Sequence, residues 1–152
     1  MTNELRFNAL GLVLPPTPRP VATYATAVRH GNLLYTSGHG PLLPQGGFVV
    51  GKLGAGLDLA AGREAARLTG LAILSTLAAA LGSLDRVTRM IKVLGVVNSA
   101  PHFTDHPKVI DGFSDLMVAV FGDAAIAARS AIGVASLPAG IAVEIEAIFE
   151  VA

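Results

Sequence analysis

Arg129 is the only charged residue between Asp123 and Glu144, and Ala127, Ala128, Ala131 and Ile132 around it are small or apolar. A guanidinium in such company requires an anion, because burying it unpaired is expensive. Further along, Glu144, Glu146, Ile148 and Glu150 alternate with Val143, Ile145, Ala147, Phe149 and Val151, the period of a strand with one face buried. Those carboxylates belong to the other, open face, and a wet sheet face is by itself enough to explain them. Other candidates are weaker. His102 and His106 have the spacing of helical metal ligands, but Pro107 starts the helix only there and no third ligand is suitably spaced. Gly51–Gly56 lacks the Lys-Ser/Thr ending of a phosphate loop, and Ser37 has no His/Asp arrangement that would make it a hydrolase nucleophile.

The elements that position these residues can be read from punctuation and periodicity. Residues 1–22, with the proline-rich LPPTPRP, read as an extended lead-in to a domain spanning 23–152. Residues 23–28 and 33–37 flank a turn at His30-Gly31-Asn32 and predict a hairpin, with a brief third strand at 48–50. Asp58 is placed as an N-cap and Gly82 as a stop for a helix carrying Leu68, Leu71, Ser75, Ala78 and Leu81 on one stripe. Residues 88–98 form an apolar run suited to a strand covered on both faces. A second helix starts near Thr104 or Asp105 and stops at Gly122. Strands at 129–137 and 142–151 follow, joined at Pro138-Ala139-Gly140. The order predicts an α+β domain with one mixed sheet and two helices packed on a single face.

If the last two strands pair as a hairpin, Glu150 lies opposite Arg129, and Glu144 falls near Ala135, ~15–20 Å away along the hairpin. Arg129 and Glu144 could then share a small ligand only across a subunit interface.

Composition agrees with an assembly. Of 152 residues, 52% are hydrophobic and only 14% charged, with 11 acidic and 11 basic residues in balance. Charge-poor surface of this kind is commonly buried between subunits, and the balance gives no field to draw nucleic acid or an anionic membrane. The absence of cysteine excludes disulfides, thiolate nucleophiles and sulfur-ligated zinc. The uncharged run from 68 to 84 continues a helix begun by charged residues, which reads as a core helix rather than a span; no secretory signal is apparent, so a cytoplasmic location is expected.

The tail ARSAIGVASLP (128–138) followed by VEIEAI (143–148) resembles the C-terminal signature of the Rid/YjgF family of reactive intermediate deaminases. Tyr24, Gly31-Asn32 and Thr36-Ser37-Gly38 resemble it too, while KVLGVVNSAP (92–101) looks like a branch distinct from the best-studied deaminases. The resemblance implies a chorismate-mutase-like fold assembled as a homotrimeric barrel with clefts between subunits. It implies hydrolysis of enamines and imines of the 2-aminoacrylate type to 2-keto acids and ammonia, without metal or cofactor. The alternative is a non-catalytic trimer that binds a small carboxylate metabolite. A ribonuclease role is disfavoured by the neutral charge balance. By the same resemblance, Arg129 grips the substrate carboxylate and Glu144 positions or activates water. Ser37 and Gly38 form the polar floor, Tyr24 the rim, and Ala131, where many members have cysteine, adds backbone. His39 stands where glutamine is common and would alter the pocket's polarity.

Overall fold

The computed structural model describes residues 1–152. In chain order the elements are α1 (Asn3–Ala9), β1 (Ala27–His30), β2 (Leu33–Thr36), β3 (Lys52–Leu53), β4 (Gly56–Leu57), α2 (Leu59–Leu81), β5 (Val87–Asn98), α3 (His106–Phe121), β6 (Ala128–Val134) and β7 (Val143–Val151). β1, β2, β5, β6 and β7 form one mixed sheet in the order β1-β2-β7-β5-β6, and β3 and β4 form a separate two-stranded ladder that bridges to Ser99 through Leu53. The brief third strand expected at 48–50 is instead a pair of isolated bridges, Leu42 to Phe48 and Val50 to Ile141.

The helices begin and end where their caps dictate. The Asp58 carboxylate accepts the Ala61 amide hydrogen, and Gly82 adopts left-handed backbone at φ 83° to end α2. Asp105 precedes α3 without a side-chain cap, with Pro107 in the first turn, and Gly122 ends it. Arg63, Glu64 and Arg67 give the first turns of α2 an exposed side, but from Leu68 to Leu77 every residue is buried and the helix shows no polar stripe. The helix is long and apolar enough to cross a membrane by composition, yet 72% of that stretch is packed inside the fold.

α2 and α3 press close at Gly112, where a methyl group would overlap the Arg63 carbonyl oxygen. Behind them Met90, Val93 and Val97 of β5 and Ile145, Ala147 and Phe149 of β7 complete the core. The opposite sheet face is open. It exposes Val28, Tyr35 and Ile132 together with Glu146, so β5 is covered on one face only in a single chain.

The lead-in does more than trail. It opens with α1 rather than an extended segment, capped by Thr2 and held by Asn3, whose amide donates to the carbonyls of Leu84 and Val87. Leu12 and Leu14 then pack on the core, and the Ser75 hydroxyl of α2 donates to the Pro15 carbonyl at 2.8 Å. The segment thereby covers α2 at Ser75, within its fully buried stretch.

The tail strands do not form the predicted hairpin. β5 lies between them, parallel to β6 and antiparallel to β7, and the Pro138–Gly140 turn carries the chain across it. α3 is the crossover that a parallel β5–β6 pair requires. Long and largely apolar, β5 takes an interior position between β7 and the edge strand β6, where both of its edges are bonded.

Candidate functional site

The site begins with one extra residue in a strand pairing. Leu34 pairs with Phe149, so a regular ladder would set Gly38 opposite Ile145; instead His39 occupies that place, exchanging both backbone hydrogen bonds with Ile145. This bulge at Ser37-Gly38 reverses the side-chain parity that follows it. His39 turns inward beneath the sheet, and Gly38 comes to lie against Glu144 on the outer side. A Cβ at Gly38 would sit 2.7 Å from the Glu144 carboxyl carbon. Only glycine leaves room for the carboxyl there.

A cavity of about 480 Å³ opens at this point. Ser37, Gly38 and Glu144 line it together, and Leu42, Phe48, Ile141 and Ala139 give it apolar walls. Tyr24 stands at the rim, and the lead-in closes one side through Pro16 to Arg19. Four residues singled out from sequence, Tyr24, Ser37, Gly38 and Glu144, are thus brought to one cleft. The Ser37 amide and hydroxyl both donate to the Thr26 carbonyl, which ties the floor to the segment between Tyr24 and β1.

Burial pushes the Glu144 carboxyl above the ordinary carboxylate range, and the neighbouring Glu146 charge adds to the rise. His39 behaves oppositely. Its side chain is buried, with Nδ1 2.7 Å from the Ser37 carbonyl oxygen and Nε2 2.8 Å from the Thr76 hydroxyl of α2. Since a carbonyl only accepts, Nδ1 carries the proton, and in the neutral ring the Thr76 hydroxyl donates to Nε2. Burial lowers the His39 pKa, partly offset by the bond to Ser37. His39 is therefore a buried strut under the floor that also lines the cavity.

Arg129 and Ala131 are not in this cleft. Arg129 pairs with Val93, whose side chain belongs to the helix-covered face, so it lies on the opposite side of the sheet from Glu144. Its Nη1 donates to Asp111 at 2.8 Å and to the Ser114 hydroxyl at 3.1 Å, and its Nη2 donates to the Pro107 carbonyl at 3.3 Å. The expected placement beside the β7 carboxylates is corrected, because β5 intervenes and shifts the registers. Glu144 aligns with Val96, three residues along β5 from Val93, and Glu150 aligns with Leu33 and Arg89. At ~3.3 Å per residue and ~4.8 Å per strand, Arg129 and Glu144 are about 14 Å apart along the backbone. Ala131 shares the Arg129 face and packs against the core.

Two contributors escaped the sequence reading. Thr76 had no signal, being one polar residue in an apolar helix. Arg19 had one, as the sole charge between Arg6 and Arg29, set between Pro18 and Pro20. It lines the cleft and makes no hydrogen bond or ion pair within the chain.

Comparison with known proteins gives consistent matches. The family described as "YjgF/chorismate mutase-like, putative endoribonuclease" matches residues 4–143. Protein TCP17 of Trypanosoma cruzi is 44% identical over 142 residues, covering 93% of this chain and 89% of its own. The Agrobacterium tumefaciens protein Atu1372 superposes with a TM-score of 0.90 at 40% identity, covering 99% of this chain and 94% of that one. RidA from the Antarctic bacterium Psychrobacter sp. PAMC 21119 superposes at 0.63 with 27% identity, covering 89% of this chain and 94% of that one.

Proposed function

The chain belongs to the YjgF/chorismate-mutase-like family, and from that premise we propose that it hydrolyses small enamines and imines to 2-keto acids and ammonia. The observation that carries the reading is Glu144, seated against Gly38 in a preformed cavity with its pKa raised towards the working range of an acid–base group. An imine carbon is already electrophilic, so a placed water and modest proton transfer are enough chemistry. Ionised Glu144 takes a proton from water as the C–O bond forms and returns it to the imine nitrogen as the C=N π bond opens. The resulting carbinolamine loses ammonia as its hydroxyl proton passes through Glu144 to the nitrogen, the C–N bond breaks and the carbonyl forms. An enamine enters by tautomerising to its imine. No metal or cofactor is needed for any of these steps.

Arg129 supplies the carboxylate clamp from an adjacent subunit. Two features support this. β6 is an edge strand, and the bonds to Asp111, Ser114 and Pro107 use Nη1 and one Nη2 hydrogen, leaving the Nε–Nη2 edge of the guanidinium for a bidentate carboxylate. The apolar residues exposed on the open sheet face support a homotrimer in which such clefts form between subunits. The cleft itself offers one free cation, Arg19, which is too few to follow a phosphate chain and disfavours ribonuclease action.

The test couples an imine-releasing amino-acid oxidase to the protein and measures keto-acid formation. Wild type accelerates hydrolysis over the spontaneous rate, and Arg129→Ala loses most of that acceleration. Wild type with no acceleration for any imino acid would overturn the reading. Arg129→Ala with full activity would remove Arg129 from the site. Sedimentation of the native protein as a monomer would overturn the shared cleft.

A further inference from the structure

The geometry points to a second anion-binding position in the cleft, built on Arg19, that selects imino and keto acids whose side chain ends in an acidic group. The inference rests on the reading above, in which the partner's Arg129 takes the carboxylate next to the reacting carbon.

Three observations carry it. First, Arg19 is a wall residue of the cavity and has no internal partner, whereas Arg129 is paired with Asp111. Secondly, Arg19 is exposed, but the backbone that carries it is held. Pro18 and Pro20 fix the backbone on either side, the Ser75 hydroxyl anchors the segment at Pro15, and the same hydroxyl lies 3.4 Å from that of Thr17. Pre-setting the segment removes much of the ordering cost of binding. Thirdly, about 480 Å³ is far more room than a three-carbon acid fills, and Leu42, Leu43, Phe48 and Ile141 give the cavity apolar wall. Leu42, Leu43 and Phe48 would cover a methylene stretch while its charged end reached the guanidinium at the mouth. The remaining titratable groups at the cleft are Tyr24, His39 and Glu144, and none supplies a positive charge for an anion: Tyr24 is a phenol at the rim, His39 has both ring nitrogens engaged, and Glu144 is itself acidic.

Length-matched ligands isolate the claim. 2-Oxoglutarate and 2-oxopentanoate have the same carbon chain and differ in the terminal carboxylate. Calorimetric binding of both to the native assembly is compared for wild type, Arg19→Ala and Arg19→Lys, with thermal melting to confirm that each variant folds. The expectation is that wild type prefers 2-oxoglutarate by about 10- to 100-fold, the span of one charge-assisted hydrogen-bond pair. Arg19→Ala loses that preference while binding 2-oxopentanoate as wild type does, and Arg19→Lys keeps part of it. Equal affinities in wild type, or a preference that survives Arg19→Ala, would overturn the proposal. Equal loss of both ligands in Arg19→Ala would also overturn it, placing Arg19 at the carboxylate they share. The selectivity persisting without imine turnover would leave the anion site standing and sink the deaminase reading alone. Binding of neither keto acid would sink both.

Discussion

Gly38→Ala isolates the geometry on which the proposed chemistry depends. The added methyl carbon would lie 2.7 Å from the Glu144 carboxyl carbon, 2.9 Å from its Cγ and 3.1 Å from one carboxyl oxygen. Ordinary contact begins at 3.4 Å, so the carboxyl must move by about 0.7 Å or more. The movement is inexpensive for the fold. The obstacle is the free end of a flexible side chain, and the Gly38 backbone is not in the left-handed region. It is expensive for catalysis, since a displacement of about 1 Å at a reacting group can cost on the order of 100-fold in rate. In the coupled keto-acid assay kcat/KM is expected to fall about 10- to 100-fold while the melting temperature changes little. A double-mutant cycle sharpens the result: on a Glu144→Ala background the Gly38→Ala change should have no further effect. If Gly38→Ala turned over imines at the wild-type rate, or lost rate equally without Glu144, the carboxyl's position would not matter to the reaction.

Glu144→Gln is expected to abolish most turnover yet raise stability near neutral pH. The folded pKa lies above the unfolded value of 4.5, so the protonated form's contribution is complete below pH 4.5 and is lost as pH rises through the folded pKa. Chemical denaturation of both proteins at pH 4 and pH 7.5 should show the variant's advantage only at the higher pH. His39 has the opposite sign. Its folded pKa is depressed below 6.5, so wild type loses stability as pH falls below 6.5, when the unfolded chain takes up a proton that the buried ring resists. His39→Ala should flatten that acid limb and lower stability throughout by about 2 kcal/mol, because the Ser37 carbonyl and Thr76 hydroxyl lose their partner. Gly112→Ala should destabilise by about 1–3 kcal/mol or more despite the better helix former, since the obstacle is the Arg63 backbone carbonyl; an unchanged denaturation midpoint would refute the close helix contact.

The legible parts of this molecule were those in which one segment carries its own signal. Asp58 and Gly82 bounded α2, and the alternation from Val143 to Val151 told which face of β7 is buried. Glu144, Ser37, Gly38 and Tyr24, which line one cavity, were singled out through the family's motif rather than through periodicity. Relations between strands were not legible. β6, Ala-Arg-Ser-Ala-Ile-Gly-Val, is small or apolar at most positions on both faces, so nothing in it says which way Arg129 points. Its face is decided by its pairing with β5, and a short turn at Pro138–Gly140 suits a crossover as well as a hairpin. The bulge was hidden for a similar reason: a single inserted residue leaves no compositional trace, yet it turns His39 from the open face to the core. In the lead-in, four prolines between residues 15 and 20 mask any period, and its contacts lie with residues far along the chain.

Those distant contacts impose an order of assembly. Asn3 bonds to carbonyls 81 and 84 residues away, and Pro15 accepts from a side chain 60 residues away. The segment is synthesised before any surface exists for it to dock on; the β2–β7 pairing of Leu33 with Glu150 spans still more chain, but it needs only its two strands, whereas the lead-in needs α2 already in place. It therefore waits as a tethered strand until α2 has packed on the sheet, and the wall bearing Arg19 is the last part of the cleft to mature. A refolding chain should pass through a form in which the β2–β7 floor is protected from hydrogen exchange while the amides of α1 are not. Pulse labelling that found both protected together would show the lead-in docking within the folding nucleus instead.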